Sequence, residues 1–111
     1  MNNWNKITSS KEVDEIIEQS QNKTQILFKD SVSCGISAFA KEKLTHGNEL
    51  LIEKADFNYL DLLSYRNVSN YIAEVLGVIH QSPQIIVLKN KEVIYSATHH
   101  SIDPKSIAKH L

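Results

Sequence analysis

Residues 25–37, with the sequence QILFKDSVSCGIS, form the stretch that decides the fold. The apolar run 25–29 has the length and composition of a buried β-strand, and the mostly polar residues 30–33 follow it as a turn. A helical pattern then covers residues 34–46, with Gly47 as a stop signal. This strand, turn and helix predict an α/β fold, and they put Cys34 at the start of a helix.

The rest of the chain predicts three further helices, three further strands and a short N-terminal strand. Ser9 and Glu12 make a capping-box pattern for the first helix, while Asp103 and Pro104 suit the N-cap and first position of the last. The predicted elements are a weakly signalled strand at 4–7, a helix opening at 9–12 and ending at 21–23, strands at 56–62, 85–89 and 92–96, a helix at 67–76 and a helix from 103 that includes 107–111. We expect one α/β domain, 1–111, with a central mixed β-sheet flanked by α-helices, a closing β-hairpin and a C-terminal helix.

Composition excludes several functional classes. The chain has 111 residues and a formal net charge of −1, so it lacks the basic footprint of a nucleic-acid-binding protein and the polybasic run of a membrane-surface protein. Its one cysteine, Cys34, excludes an intramolecular disulfide and a Cys-rich zinc site. Five histidines are present, but the adjacent pair His99-His100 does not have ligand spacing, so no metal is expected. The polar N-terminus and the lack of a long apolar stretch favour a cytoplasmic location.

Cys34 is the main candidate for chemistry. The first N–H groups of a helix lack intrahelical partners and carry partial positive charge, so a cysteine there is stabilised as the nucleophilic thiolate. Lys29 is close in sequence and is a candidate for added positive charge, and Ser37 is one helical turn away, where its hydroxyl could reach the sulfur. A lone cysteine is often just a small buried hydrophobe. The small and polar neighbours Ser33 and Gly35 favour an open, reactive sulfur instead.

Cys34-Gly35-Ile36-Ser37 resembles a thioredoxin-type C-x-x-C motif whose second cysteine is replaced by serine. Nearly the whole chain resembles the YtxJ family of monothiol bacilliredoxins. The stretches that carry the resemblance are Trp4, 28–29, 33–37, 57–61, 69–74 and 77–84. The family's site is usually Thr-Cys-Pro-Ile-Ser, so Ser33 and Gly35 stand here where threonine and proline are common.

The resemblance implies a thioredoxin-like fold in which Pro83 has a cis peptide bond and faces the cysteine. It implies a monothiol thiol–disulfide oxidoreductase that removes bacillithiol from protein mixed disulfides, with bacillithiol as co-substrate and no permanently bound cofactor. Its partners would be bacillithiol and bacillithiolated proteins. The implied catalytic residues are Cys34 and Ser37, and the implied substrate-binding residues are Ser33, Gly35, Ser82, Pro83 and Thr98.

Two histidine positions are weaker candidates. His80 lies three residues before Pro83 and could approach the site, although a solvated loop histidine is the simpler interpretation. By the same resemblance, Thr98 and His99 begin a loop beside the cysteine, with an ordinary surface loop as the alternative.

Two other functions remain open at this point. One is a non-catalytic thioredoxin-fold binding or redox-sensing module, in which Cys34 would be a sensor or inert. The other is a glutathione-dependent monothiol glutaredoxin. The lack of a basic cluster for the two glutathione carboxylates counts weakly against the latter.

Overall fold

The computed structural model describes residues 4–111. Its elements are β1 (Asn5–Lys6), α1 (Ser10–Gln19), β2 (Thr24–Asp30), α2 (Gly35–His46), β3 (Ala55–Asp61), α3 (Arg66–Leu76), β4 (Gln84–Lys89), β5 (Glu92–Thr98) and α4 (Pro104–Ala108), with short 3-10 turns at Asn48–Leu50 and His99–Ser101. All the predicted helices and strands are present. The largest differences are the short β1, the short α4 and the extension of β5 to Thr98.

The five strands form one mixed sheet in the order β1-β3-β2-β4-β5. β1, β3 and β2 run parallel, whereas β4 is antiparallel to β2 and pairs with β5 in a closing hairpin. The hairpin turn is Asn90–Lys91, and both residues have the positive φ that a tight type I′ turn requires, 52° and 68°. The predicted mixed sheet and closing hairpin are therefore confirmed.

Alternating strand residues supply a hydrophobic core on each face of the sheet. On one face, Phe28 of β2 packs with Ala40 and Leu44 of α2 and with Ile107 of α4. On the other face, the neighbouring Leu27 belongs to the cluster that includes residues of α1 and α3. Because the side chains of a strand alternate between faces, each β2 residue is committed to one of these two environments.

The caps of the helices agree with the local sequence signals. The Ser9 hydroxyl accepts a hydrogen bond from the Glu12 N–H at 3.2 Å. Asp103 likewise caps α4 by accepting from the Ser106 N–H at 3.1 Å. Gly77 ends α3 in the left-handed conformation, φ 65°, which glycine adopts without a side-chain clash. Within residues 4–111, none of these helices has both the length and the apolar character needed to cross a membrane.

Candidate active site

The predicted site residues gather at one end of the sheet. β2 ends at Asp30, and Cys34 follows it after a short loop. The strand pairing sets Lys29 opposite Gln84, so Pro83 enters β4 at the same end of the sheet. Gln84 in turn pairs with Thr98, the last residue of β5. The ends of three adjacent strands therefore bring together the loops that carry Cys34, Pro83 and Thr98.

Cys34 is the N-cap of α2, so the helix begins one residue later than the sequence pattern predicted. Its backbone is extended, with φ −101° and ψ 128°. Cys34 is partly exposed as a residue, and its thiol makes no side-chain capping bond. The neighbouring Ser33 and Gly35 are exposed, which leaves an open approach beside the sulfur. The unpaired N–H groups of the first helical turn lie next to Cys34, so the partial positive charge of the helix start is located at this residue.

The Ser37 hydroxyl does not donate a hydrogen bond to the Cys34 sulfur. Its side chain is fully buried, and its hydroxyl donates to the Asp30 carboxylate at 2.5 Å. The same oxygen accepts a hydrogen bond from the Ser31 N–H at 2.8 Å. The expected hydrogen bond from Ser37 to Cys34 is therefore wrong, because the single hydroxyl proton is used on a buried carboxylate. In this structure Ser37 ties the loop before Cys34 to the first turn of α2.

Asp30 is the centre of a buried polar network that the sequence reasoning missed. Besides Ser37, it accepts a hydrogen bond from the Tyr59 hydroxyl at 2.5 Å, and the Lys41 ammonium lies 3.8 Å from the carboxylate. Burial, and then the hydrogen bond to Asp30, raises the pKa of Tyr59 well above its usual value. The sequence signal for this network was a carboxylate directly after the apolar run of β2. Such a group needs partners when it is buried.

The Ser82–Pro83 segment is held by the neighbouring loop. The Ser82–Pro83 peptide bond is cis, as the family resemblance implied. The His99 N–H donates to the Pro83 carbonyl at 3.1 Å, so the turn after Thr98 lies against this segment. The Ser82 hydroxyl is buried and has no hydrogen-bond partner within residues 4–111. A buried hydroxyl without a partner has unused capacity for a ligand.

Lys29 lies on the face of the sheet opposite to Asp30. Its fully buried ammonium donates to the Ser69 carbonyl at 3.1 Å and lies 3.2 Å from His80 Nδ1. Burial lowers the pKa of Lys29 to about 8. Burial, and then the positive charges of Lys29 and Arg66, holds the pKa of His80 below its usual value. The interpretation of His80 as a solvated loop histidine is therefore incomplete, because one edge of its ring is bound inside the protein.

The surface around the cysteine loop carries exposed apolar side chains. Val32 and Phe39 are each 54% exposed, and Ile36 is 39% exposed. Ile79, in the loop before Pro83, is 80% exposed. A group of three or more His, Cys, Asp or Glu side chains that could hold a metal ion is not found in the part of the chain that the structure describes. The site therefore combines one accessible thiol with apolar and hydroxyl-bearing surroundings.

Gly35 gives a direct test of the local geometry at the cysteine. Three features of this position suit a proline. The Gly35 N–H makes no backbone hydrogen bond among residues 4–111, and a Cβ here would meet nothing within 4 Å. The backbone of Cys34 is extended, as a residue before proline requires. We expect Gly35→Pro to raise the free energy of unfolding by about 0.4–1 kcal/mol, because it reduces the freedom of the unfolded chain. Urea denaturation measures the change. Gly77→Ala is the matched control and should lower the free energy of unfolding, since the φ of 65° at Gly77 disfavours a side chain. A loss of stability in Gly35→Pro would contradict the start of α2 at Gly35.

Comparisons with known proteins agree with this geometry. The pattern of the monothiol bacilliredoxin BrxC family matches residues 5–107. A solved thioredoxin-fold protein, described as a proposed oxidoreductase, is 32% identical, with a TM-score of 0.84 over 98% of this chain and 94% of the other. Oxidised mitochondrial thioredoxin 3 from Saccharomyces cerevisiae is 18% identical, with a TM-score of 0.71 over 97% of this chain and 92% of the other. Fasciola hepatica thioredoxin is 13% identical, with a TM-score of 0.74 over 96% and 99%. The last two matches concern the fold alone, and the expected thioredoxin-like fold is confirmed.

Proposed function

The chain belongs to the monothiol bacilliredoxin family of thioredoxin-fold thiol–disulfide oxidoreductases, and on this premise we propose that it removes bacillithiol from protein mixed disulfides through Cys34. The observation that carries the proposal is the placement of the only cysteine. Cys34 is partly exposed at the N-cap of α2, and its thiol has no side-chain cap bond. The thiolate form of an accessible cysteine is the nucleophile in thiol–disulfide exchange.

The proposed reaction has two exchange steps. The Cys34 thiolate attacks the bacillithiol sulfur of a mixed disulfide, the original S–S bond breaks, and the target cysteine leaves as a thiolate that takes a proton from solvent. Cys34 then carries bacillithiol in a new disulfide. The thiolate of a second, external thiol attacks the bacillithiol sulfur of this adduct. The bond between Cys34 and bacillithiol breaks, Cys34 leaves as a thiolate, and bacillithiol and the external thiol are joined in a new disulfide. Ser37 cannot resolve the adduct, because a hydroxyl forms no disulfide.

The surrounding residues suit the recognition of an extended substrate. We assign Ser33, Gly35, Ser82, Pro83 and Thr98 to substrate binding. The exposed Ser33 and Gly35 leave room beside the sulfur, and the Ser82 hydroxyl is unpartnered among the described residues. Ser37 acts in this proposal as a positioning residue, since its hydroxyl holds the loop before Cys34. The partners are bacillithiolated proteins and bacillithiol, in a reducing cytoplasm that supplies the second thiol and with no permanently bound cofactor.

Intact-mass measurement tests the choice of low-molecular-weight thiol. The protein is incubated at neutral pH with oxidised bacillithiol and, separately, with oxidised glutathione. We expect one bacillithiol adduct per chain, little glutathione adduct, and no adduct in Cys34→Ser. Ser96→Ala, at an exposed position of β5 outside the proposed site, is the matched control and should retain the adduct. An equal glutathione adduct would indicate a glutaredoxin, whereas no adduct with either disulfide would indicate a non-catalytic module.

A further inference from the structure

The loop between α3 and β4, residues 77–83, is attached to the sheet by side chains on the face opposite to α2. The Lys29 ammonium, one residue before the end of β2, contacts both the Ser69 carbonyl of α3 and the His80 ring of this loop. The Ser69 hydroxyl lies 3.2 Å from the same His80 nitrogen. Gln84 donates from its side-chain amide to the Ile79 carbonyl at 3.0 Å. The loop is therefore held at two consecutive residues, Ile79 and His80, just before Ser82 and Pro83.

This attachment is unusual in its chemistry, because a buried cation makes it without a carboxylate. The ion pairs of the described residues are Lys23–Asp56, Lys41–Asp30 and Lys91–Glu18, and none involves Lys29. Desolvation of an ammonium is expensive, and two neutral acceptors offset it only in part. Gln84, directly opposite Lys29 in the strand pairing, leaves its Oε1 atom buried without a partner in residues 4–111. Polar groups buried at such expense are typical of functional sites rather than of structural cores.

We propose that Lys29 is a positioning residue for the exchange reaction at Cys34: it clamps the 77–83 loop to the end of β2 and so sets the position of Ser82 and Pro83. The inference rests on the proposed function, because the clamped loop carries the residues assigned to substrate binding. An ammonium group only donates hydrogen bonds, so His80 Nδ1 is the acceptor and the ring proton lies on Nε2. His80 is an exposed residue, and Lys29 holds only the edge of its ring that carries Nδ1.

Lys29→Met is the first variant, since methionine keeps most of the length of the side chain without its charge or hydrogen bonds. We expect KM for a bacillithiolated protein to rise about tenfold, because substrate is held less well, while kcat changes less than about twofold. The rate at which iodoacetamide alkylates Cys34 should stay within about twofold, since the clamp does not contact the thiol. The urea midpoint should be unchanged or higher, because a buried cation has been removed. Lys89→Met, at an exposed position of β4, removes the same charge and should leave KM unchanged.

His80 variants separate the clamp from a direct contact between the ring and substrate. The Oδ1 atom of asparagine can stand in for Nδ1 as an acceptor, so His80→Asn should keep KM near the wild-type value. His80→Ala removes the acceptor and should raise KM as Lys29→Met does. Equal loss in both His80 variants would overturn the clamp in favour of a direct contact.

NMR of the histidine ring nitrogens gives a readout that does not depend on turnover. The wild-type protein should show His80 with its proton on Nε2. In Lys29→Met this preference should weaken, and the pKa of His80 should rise because a nearby positive charge is gone; Arg66 is the other charged group that lowers it. Three results in Lys29→Met would each overturn the proposal. They are an unchanged tautomer and pKa of His80, an unchanged KM, and a rise in KM that is accompanied by a fall in the urea midpoint. Absence of turnover in a wild-type protein that shows the expected His80 signature would contradict the proposed function and not the clamp.

Discussion

Replacement of Cys34 by serine is expected to lower the rate of bacillithiol removal about a thousandfold or more, to the background of the uncatalysed exchange. A serine hydroxyl is almost entirely protonated at neutral pH and forms no disulfide with a thiol, so both proposed steps are lost. Cys34 is the only cysteine of the chain, and no second thiol can take its place. The measurement is the rate at which a bacillithiolated model protein is converted to its reduced form. The reaction contains an excess of external thiol, and mass spectrometry follows the conversion.

Omission of the external thiol gives the complementary result. The wild-type protein should then complete only the first exchange, releasing one reduced target per chain and retaining bacillithiol on Cys34. Ser96→Ala is the control for the turnover measurement, because it alters an exposed serine outside the proposed site and leaves the nucleophile intact. Repeated turnover without external thiol would contradict the monothiol reaction, and undiminished turnover in Cys34→Ser would contradict the assignment of the nucleophile.

Trp4→Ala is expected to reduce the free energy of unfolding by about 3–5 kcal/mol, a large part of the roughly 5–15 kcal/mol of an ordinary domain. Trp4 is 6% exposed and stacks on Phe57, with ring centroids 3.9 Å apart and an interplanar angle of 12°. It also packs edge-on against Phe28 and donates from Nε1 to Asn48 at 3.2 Å. Alanine would leave a cavity beside these rings and remove the donor to Asn48.

Urea denaturation followed by far-UV circular dichroism measures this loss, because Trp4 is the only tryptophan and its fluorescence disappears with it. Ile79→Ala is the matched control. Ile79 is 80% exposed, so its truncation should change stability by no more than about 0.5 kcal/mol. A loss of less than about 1 kcal/mol in Trp4→Ala would mean that this ring contributes little to the core.

Much of the fold could be predicted because its signals are local. The caps at Ser9 and Asp103 join residues three positions apart, and Gly77 adopts its left-handed conformation because of its own lack of a side chain. Trp4 shows where such signals fail. Its segment forms only the two-residue strand Asn5–Lys6, and its burial comes from rings that lie elsewhere in the sequence.

The candidate site could be predicted only in part for the same reason. Helical spacing correctly suggested that Ser37 lies one turn from Cys34, but it did not indicate which acceptor would take the hydroxyl proton. The Asp30 side chain takes it, since this buried polar group needs hydrogen-bond partners. Lys29 was a candidate for adding positive charge near the sulfur, yet the alternation of β2 directs it to the opposite face of the sheet from Asp30.

The sequence by itself determined that this protein has one thiol, that the thiol begins a helix after a buried strand, and that any exchange it performs needs a second thiol from elsewhere. These properties depend on composition and on residues within a few positions of one another. Only the tertiary structure decided that Asp30 holds Ser37 and that Lys29 reaches His80, a residue 51 positions away. A buried polar group needs a hydrogen-bond partner, and that partner can come from any element that packs against it. The local sequence therefore does not predict which residue the partner is.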